Sequence, residues 1–483
     1  MFIPRLIHSM SRRSWLEMLA AAAASVQAAQ PAGPSSVEEV IVVYKTHFDI
    51  GFTDLARNVV ASYRTGMIDK ALDIVERTRN LPPEARFVWT IPGWPMAQIL
   101  WKGQDPERRR KVTEAYRGGY FATHGLPFTT ETDFLDLETL VRGMGFSTRL
   151  AAENSMELPR DAKLTDVMCH SWVLPTMLRH AGIDFLHVGA NGAMRIPEVP
   201  MLFWWEGPDG SRLLTFYSKG YGTGLVPPAG WPYKVWLALI HTSDNVGPPD
   251  PETVQRLRET AREKLPGVKV RIGRLSDFGD ALIRTKPALP VVRADMPDTW
   301  VHGLMSMPED TKRGENLRPR ITSLEALGTL LAAWGAQAPA RPDIATAYEH
   351  SLLYGEHTWG IDFTKFRPRL YGDEWRKAYA AGAYARAEES FAEHADYNRR
   401  AEAIVAPALA THTAALAQAV GLEGPRVAVF NPLPWRRGGV AEAALPGETP
   451  VALKDASSGE IVPVEVTAGK LRFLARDIPA MGY

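Results

Sequence analysis

The sequence predicts an α/β fold: a (β/α)7-type barrel over residues 36–325, then a helical bundle (326–421) and the start of a β-sandwich (422–483). Three observations carry this. Apolar runs of strand length alternate with helical stretches as far as about residue 325. The strands are almost continuously apolar, which requires cover on both faces. The remainder changes character twice, first to long Ala-rich helical periods and then to short runs separated by Gly, Pro and Asp.

The expected strands begin with VIVVY (40–44), RFVWTI (86–91), GYFATHG (119–125) and TDVMC (165–169). DFLHVGA (184–190), LLTFYS (213–218) and VKVRIG (268–273) follow. Helical stretches such as 59–78 and 251–265 lie between them. About seven such units suit a closed barrel better than an open sheet. SLEALGTLLAAWGAQ and residues 374–420 read as bundle helices, and GLEGPR (421–426) ends them. The last three runs, VAVFNPLPW, EIVPVEV and LRFLARDIPA, are few for a whole sandwich.

Residues 1–30 read as an export signal. Arg12 and Arg13 precede Trp15, Leu16 and an Ala-rich stretch too short to span a membrane, ending in small residues. The arginine pair resembles a twin-arginine signal and implies a periplasmic or secreted protein. No integral membrane segment is expected in the mature chain. The formal net charge is zero, which gives no reason to expect a nucleic-acid partner. The single cysteine, Cys169, excludes an intrachain disulfide and a thiolate metal site. Nothing in the composition fixes an oligomeric state.

The stretch HFDIG (47–51) ends the first strand. Residues i and i+2 share a strand face, so His47 and Asp49 point the same way at a C-terminal strand end. A neutral imidazole beside a carboxylate suits a divalent cation such as zinc. Gly51 permits a sharp turn immediately after.

HFDIG resembles the first motif of glycoside hydrolase family 38, the α-mannosidase family, with Phe52 where Trp is usual. Further likenesses follow in the family's order. They are Asp166, His170, Ser171, Pro175, Ala181 and Gly182 in residues 165–189, then Trp205, Asp209, Gly210 and Ser211, then FNPLPW and LARDIPAMGY. The resemblance implies a zinc-dependent, retaining glycoside hydrolase with a carbohydrate substrate. It implies His47, Asp49 and a His from the helical region as metal ligands. His357 in LLYGEHTWG is that residue, with His350 the second choice. The family's nucleophile, an Asp that also touches the metal, falls in YFATHGLPFTTETDFLDLETLVRGM. Spacing favours Glu131, residue type favours Asp133, and Asp136 is close to both; Asp133 is the first choice, as nucleophile and as the remaining metal ligand that the resemblance implies.

Asp166 is the candidate second carboxyl, or else a residue that holds His170. The expected substrate-binding residues are His302, oriented by Asp298, together with His170, Trp94 and Asp244; Asn245 is a further candidate. Trp172, Trp205 and Tyr221 are possible stacking platforms, although aromatics more often pack in cores. A metal-dependent carbohydrate deacetylase and a noncatalytic sugar-binding relative are the alternatives.

Overall fold

The computed structural model describes residues 37–483 except 169, 193–194, 297–299, 301, 337–338, 363–369, 422 and 445–451. The export segment, Cys169, Asp298 and the side chain of His302 therefore lie outside the described residues.

Strands β1 (Glu39–Thr46), β2 (Trp89–Pro92), β3 (Phe121–His124), β8 (Val235–Thr242) and β9 (Lys269–Ile272) form one parallel sheet. Its order is β3-β2-β1-β8, with β9 also paired to β1. Strands β4 (Asp161–Asp166), β5 (Phe185–Ala190), β6 (Leu202–Glu206), β7 (Arg212–Ser218) and β10 (Val291–Val292) form a second sheet, ordered β10-β6-β7-β5-β4. Here β4, β5 and β7 are parallel, while β6 and β7 form an antiparallel hairpin.

The expected closed seven-unit barrel is thus found as two sheets. Hydrogen bonds bridge them at isolated points: Gly125 N donates to Asp161 O, and Thr223 N donates to Leu239 O. Sequence reading also passed over β8, which pairs with β1 along its whole length.

Strand parity places the chemistry. Tyr44 turns outward onto Phe87, with ring centroids 5.4 Å apart. Lys45 and His47 have the opposite parity and face inward. On β4, Ala162 and Leu164 pack in the core that includes Leu174 and Leu178 of the covering helix Leu174–His180. Lys163 takes the other face.

The helices Pro308–Ala333, Ile344–Tyr354 and Ala385–Ala419 pack together. Their shared core includes Leu317, Ile321, Leu324, Tyr348, Ala401 and Val405. Each buried aliphatic side chain contributes about 1.5–3 kcal/mol of transfer free energy. The first of these helices runs unbroken through residues 325 and 326. At the C-terminus β11 (Arg437–Ala444), β14 (Val464–Thr467) and β15 (Lys470–Ile478) form an antiparallel sheet, and β12 (Leu453–Lys454) pairs with β13 (Ile461–Val462).

Candidate metal centre and active site

Four buried side chains, His47, Asp49, Asp166 and His357, converge so that one ligand atom from each lies within 4.8 Å of all the others. His47 Nε2 is 2.9 Å from Asp49 Oδ1, and His357 Nε2 is 3.1 Å from the same oxygen. Asp166 Oδ2 is 3.7 Å from His47 Nε2 and 3.4 Å from His357 Nε2. The two imidazole nitrogens are 3.2 Å apart.

Each residue arrives by a different device. His47 and Asp49 leave β1 on its inward face, and Gly51 (φ +129°) turns the chain away. Asn245, also at positive φ (+52°), pins this loop. Its Oδ1 accepts from Asp49 N, and its Nδ2 donates to the carbonyls of Asp49 and Gly51, each at 3.1 Å.

Asp166 has the outward parity of Leu164. Its φ of +83° breaks that alternation and brings the carboxylate into the cluster. Tyr221 Oη and Asn191 Nδ2 both donate to Asp166 Oδ1, the latter at 2.6 Å, leaving Oδ2 for the centre. His357 follows the helix Ile344–Tyr354, and Glu356 Oε1 stands 2.8 Å from its Nδ1.

Electrostatics agree with the geometry. Burial alone would raise Asp49, but His47 and His357 hold it down at about 2. Burial would likewise raise Asp166, yet its close contacts with the His357 and His47 imidazoles keep it well below the ordinary carboxylate range. Burial would lower His47, but Asp49 and Asp166 push it up to about 8. Such a closely packed two-His, two-carboxylate set is a suitable donor set for a divalent metal. Asp49 Oδ2 is buried without a hydrogen-bond partner, an orphaned acceptor that a cation would satisfy.

Residues 38–256 match the sequence model of the glycosyl hydrolases family 38 N-terminal domain. The chain carries a family 38 N-terminal domain. No curated protein matches the chain. Among solved structures, an alpha-mannosidase from Enterococcus faecalis V583 aligns at TM-score 0.65 and 13% identity, covering 92% of this chain and 55% of that one. A protein in the Glycosyl Hydrolase Family 38 from Enterococcus faecalis aligns at TM-score 0.55 and 13% identity, covering 93% of this chain and 53% of that one. This likeness is one of fold. The chain spans about half the length of either structure.

The family 38 domain supplies His47, Asp49 and Asp166, while His357 comes from beyond the matched segment. Asp133 was the expected second carboxylate ligand beside Asp49, but it is exposed and outside the cluster; Asp166 takes that place. The low pKa of Asp166 also argues against the proton-donor role expected for it. Asp136 caps the helix Leu137–Glu153, accepting from Thr139 N at 2.9 Å.

Glu131 is buried beside the His357 loop. Its N–H donates to Gly355 O, its neighbour Thr130 bridges to Glu356, and its Oε1 accepts from Trp359 Nε1 at 2.8 Å. Asp244 is half-buried, and its carboxyl is raised by burial and by the charge of Asp49.

Other expected contacts resolve into packing. Trp94 is core, against Phe48 and Phe128, with Nε1 on Glu349. Trp205 is fully buried and donates to Ala294 O, and Trp172 donates to Glu206 O. His170 is buried against Thr132, and burial lowers its imidazole to about 3. His350 stands outside the cluster, stacked on Tyr397. Tyr221 does belong to the site, with its ring 5.1 Å from that of His47. Sequence reasoning missed Glu356 and Asn191; the one signal was an acidic residue directly before His357.

Proposed function

We infer that this chain is an exported, zinc-dependent glycoside hydrolase acting with retention on an extracytoplasmic glycan or oligosaccharide. One observation carries the reading. A buried two-His, two-Asp cluster takes three residues from strand ends in the segment matching the family 38 domain and His357 from the loop beyond it, with Asp244 within its field and Glu131 against the His357 loop. Bound zinc would supply Lewis acidity and a template for neighbouring sugar hydroxyls.

Asp244 is the proton donor of this reading: burial and the charge of Asp49 move its carboxyl upward from the ordinary value, the direction a general acid needs. Glu131 is the nucleophile, oriented by the Trp359 indole. The Arg12–Arg13 segment is the export signal of this reading. Support for an α-mannoside substrate comes from the alpha-mannosidase among the structural relatives.

A second reading has its own observation. The four-residue set is complete without any residue from the segment after β3, as a metal-dependent deacetylase with no carboxylate nucleophile requires. A panel of aryl α-glycosides and acetylated glycans separates the two. Sugar release that falls about 10³-fold or more in Glu131→Gln supports the glycosidase. Acetate release that survives Glu131→Gln and is abolished by chelation would replace it with the deacetylase.

A further inference from the structure

The Glu131 carboxyl is held by a tryptophan. Trp359 Nε1 donates to Glu131 Oε1 at 2.8 Å. Glu131 is 5% exposed, whereas Trp359 is only half-buried. A half-buried indole can change rotamer unless its neighbours prevent it, and the direction of its N–H turns with the ring. Whatever fixes the Trp359 ring therefore aims the donor that holds Glu131.

Two neighbours do so. The backbone of Gly303, in the short helix His302–Ser306, lies against the edge that carries Nε1: a Cβ there would collide with Cδ1 and Nε1 of the indole. The His394 imidazole packs on the ring system, with centroids 4.3 Å apart and planes at 47°.

His394 is itself anchored. It is 4% exposed, and burial lowers its imidazole to about 4, so it is neutral at pH 7. Its Nε2 is 3.0 Å from Tyr354 O, and a carbonyl only accepts, so Nε2 carries the proton and donates. His394 belongs to the helix Ala385–Ala419, and two more residues of that helix grip the same loop. Ser390 Oγ donates to Gly360 O at 2.8 Å, and a Cβ on Gly360 would come within 2.9 Å of the Phe391 ring. Ser390 and Phe391 precede His394 by four and three residues, so all three share one helix face.

We propose that His394 is a positioning residue for Glu131, acting through the Trp359 indole. The inference rests on the reading of Glu131 as nucleophile and adds the group that aims it. His394 stands outside the four-residue metal cluster. A reacting group displaced by about 1 Å costs on the order of 10²-fold in rate, so a packing contact at this remove registers in catalysis.

The imidazole offers a ring to Trp359 and a donor to Tyr354, and two substitutions separate them. His394→Phe keeps a ring and loses the donor; His394→Gln keeps a donor and loses the ring. Turnover should follow the ring, and thermal stability the donor. On aryl α-glycosides, kcat should fall about 10–100-fold in His394→Gln with KM and metal content unchanged. It should stay close to wild type in His394→Phe, whose melting temperature drops because the buried Tyr354 carbonyl loses its partner.

A second readout needs no activity. With nitrogen-15 in the tryptophan indoles, the Trp359 resonance is the one missing from Trp359→Phe, and Glu131→Gln should shift it. His394→Gln should shift it in the same sense, and His394→Phe should leave it in place. If the wild-type protein turns over no glycoside, the nucleophile reading fails, and this resonance still decides whether His394 sets the Trp359–Glu131 contact. A resonance unmoved in His394→Gln, or a kcat that tracks melting temperature across both variants, would overturn the positioning role.

Discussion

Glu356 Oε1 stands 2.8 Å from His357 Nδ1, and both side chains are almost wholly buried. The two atoms meet as a close charge contact and are not aligned as a hydrogen bond; a carboxylate behind an imidazole in this position favours Nε2 as the atom facing the centre and raises its basicity. The other Glu356 oxygen accepts from Thr358 N at 2.8 Å, so the loop that presents His357 also clamps its partner.

Glu356→Gln is therefore expected to weaken metal affinity about 10–100-fold without removing a ligand. Titration of the chelator-stripped variant with zinc measures the loss. Activity should return at high zinc, which distinguishes this effect from misfolding.

Asp166→Asn should abolish stoichiometric metal binding while leaving the fold intact. Asn tolerates the left-handed backbone at this position and keeps the shape of Asp. Elemental analysis beside a circular dichroism melt checks it. A variant that keeps a full complement of metal would exclude Asp166 as a ligand.

The metal-free protein should depend on pH in a defined sense. His47 is raised to about 8 in the fold, so its stabilising effect is complete below its unfolded value of about 6.5 and is lost as pH rises through 8. Asp49 is lowered to about 2, so its contribution is present above about 3.8 and is lost as pH falls through 2. Metal needs neutral imidazole, so zinc binding at pH 7 should expel protons. Calorimetry in buffers of differing ionisation heat should show that release shrinking by pH 9.

Asp244→Asn should slow substrates with poor leaving groups far more than activated aryl glycosides, which need little protonation. The donor works only while protonated, so wild-type activity should fall as pH rises through its elevated pKa. That alkaline limb should vanish in the variant. A limb that persists would assign it elsewhere.

The parts legible in the sequence were those governed by simple periodicity or local chemistry. His47 and Asp49 were found because a strand's period of two puts them on one face. His357 was found from its place after the barrel, in the family order. Asp166 was named but misassigned, because no period-two reading anticipates a φ of +83° that swings it off the face it shares with Leu164. Glu131 and Asp133 could not be separated by spacing and residue type; burial and the Trp359 contact separate them. β8 was passed over, although VWLALI (235–240) is apolar throughout.

The cluster draws its ligands from three distant stretches of chain: the end of β1, the end of β4 and the loop after Ile344–Tyr354. An ion held by all three is a three-way staple. It ties both sheets to the helical layer and closes two long loops that would otherwise be joined only by packing. Chelation should therefore register as a mechanical loss as well as a chemical one. Amide hydrogens in the His357 loop and the adjoining helix should exchange sooner, while those in the middle of β1 stay protected.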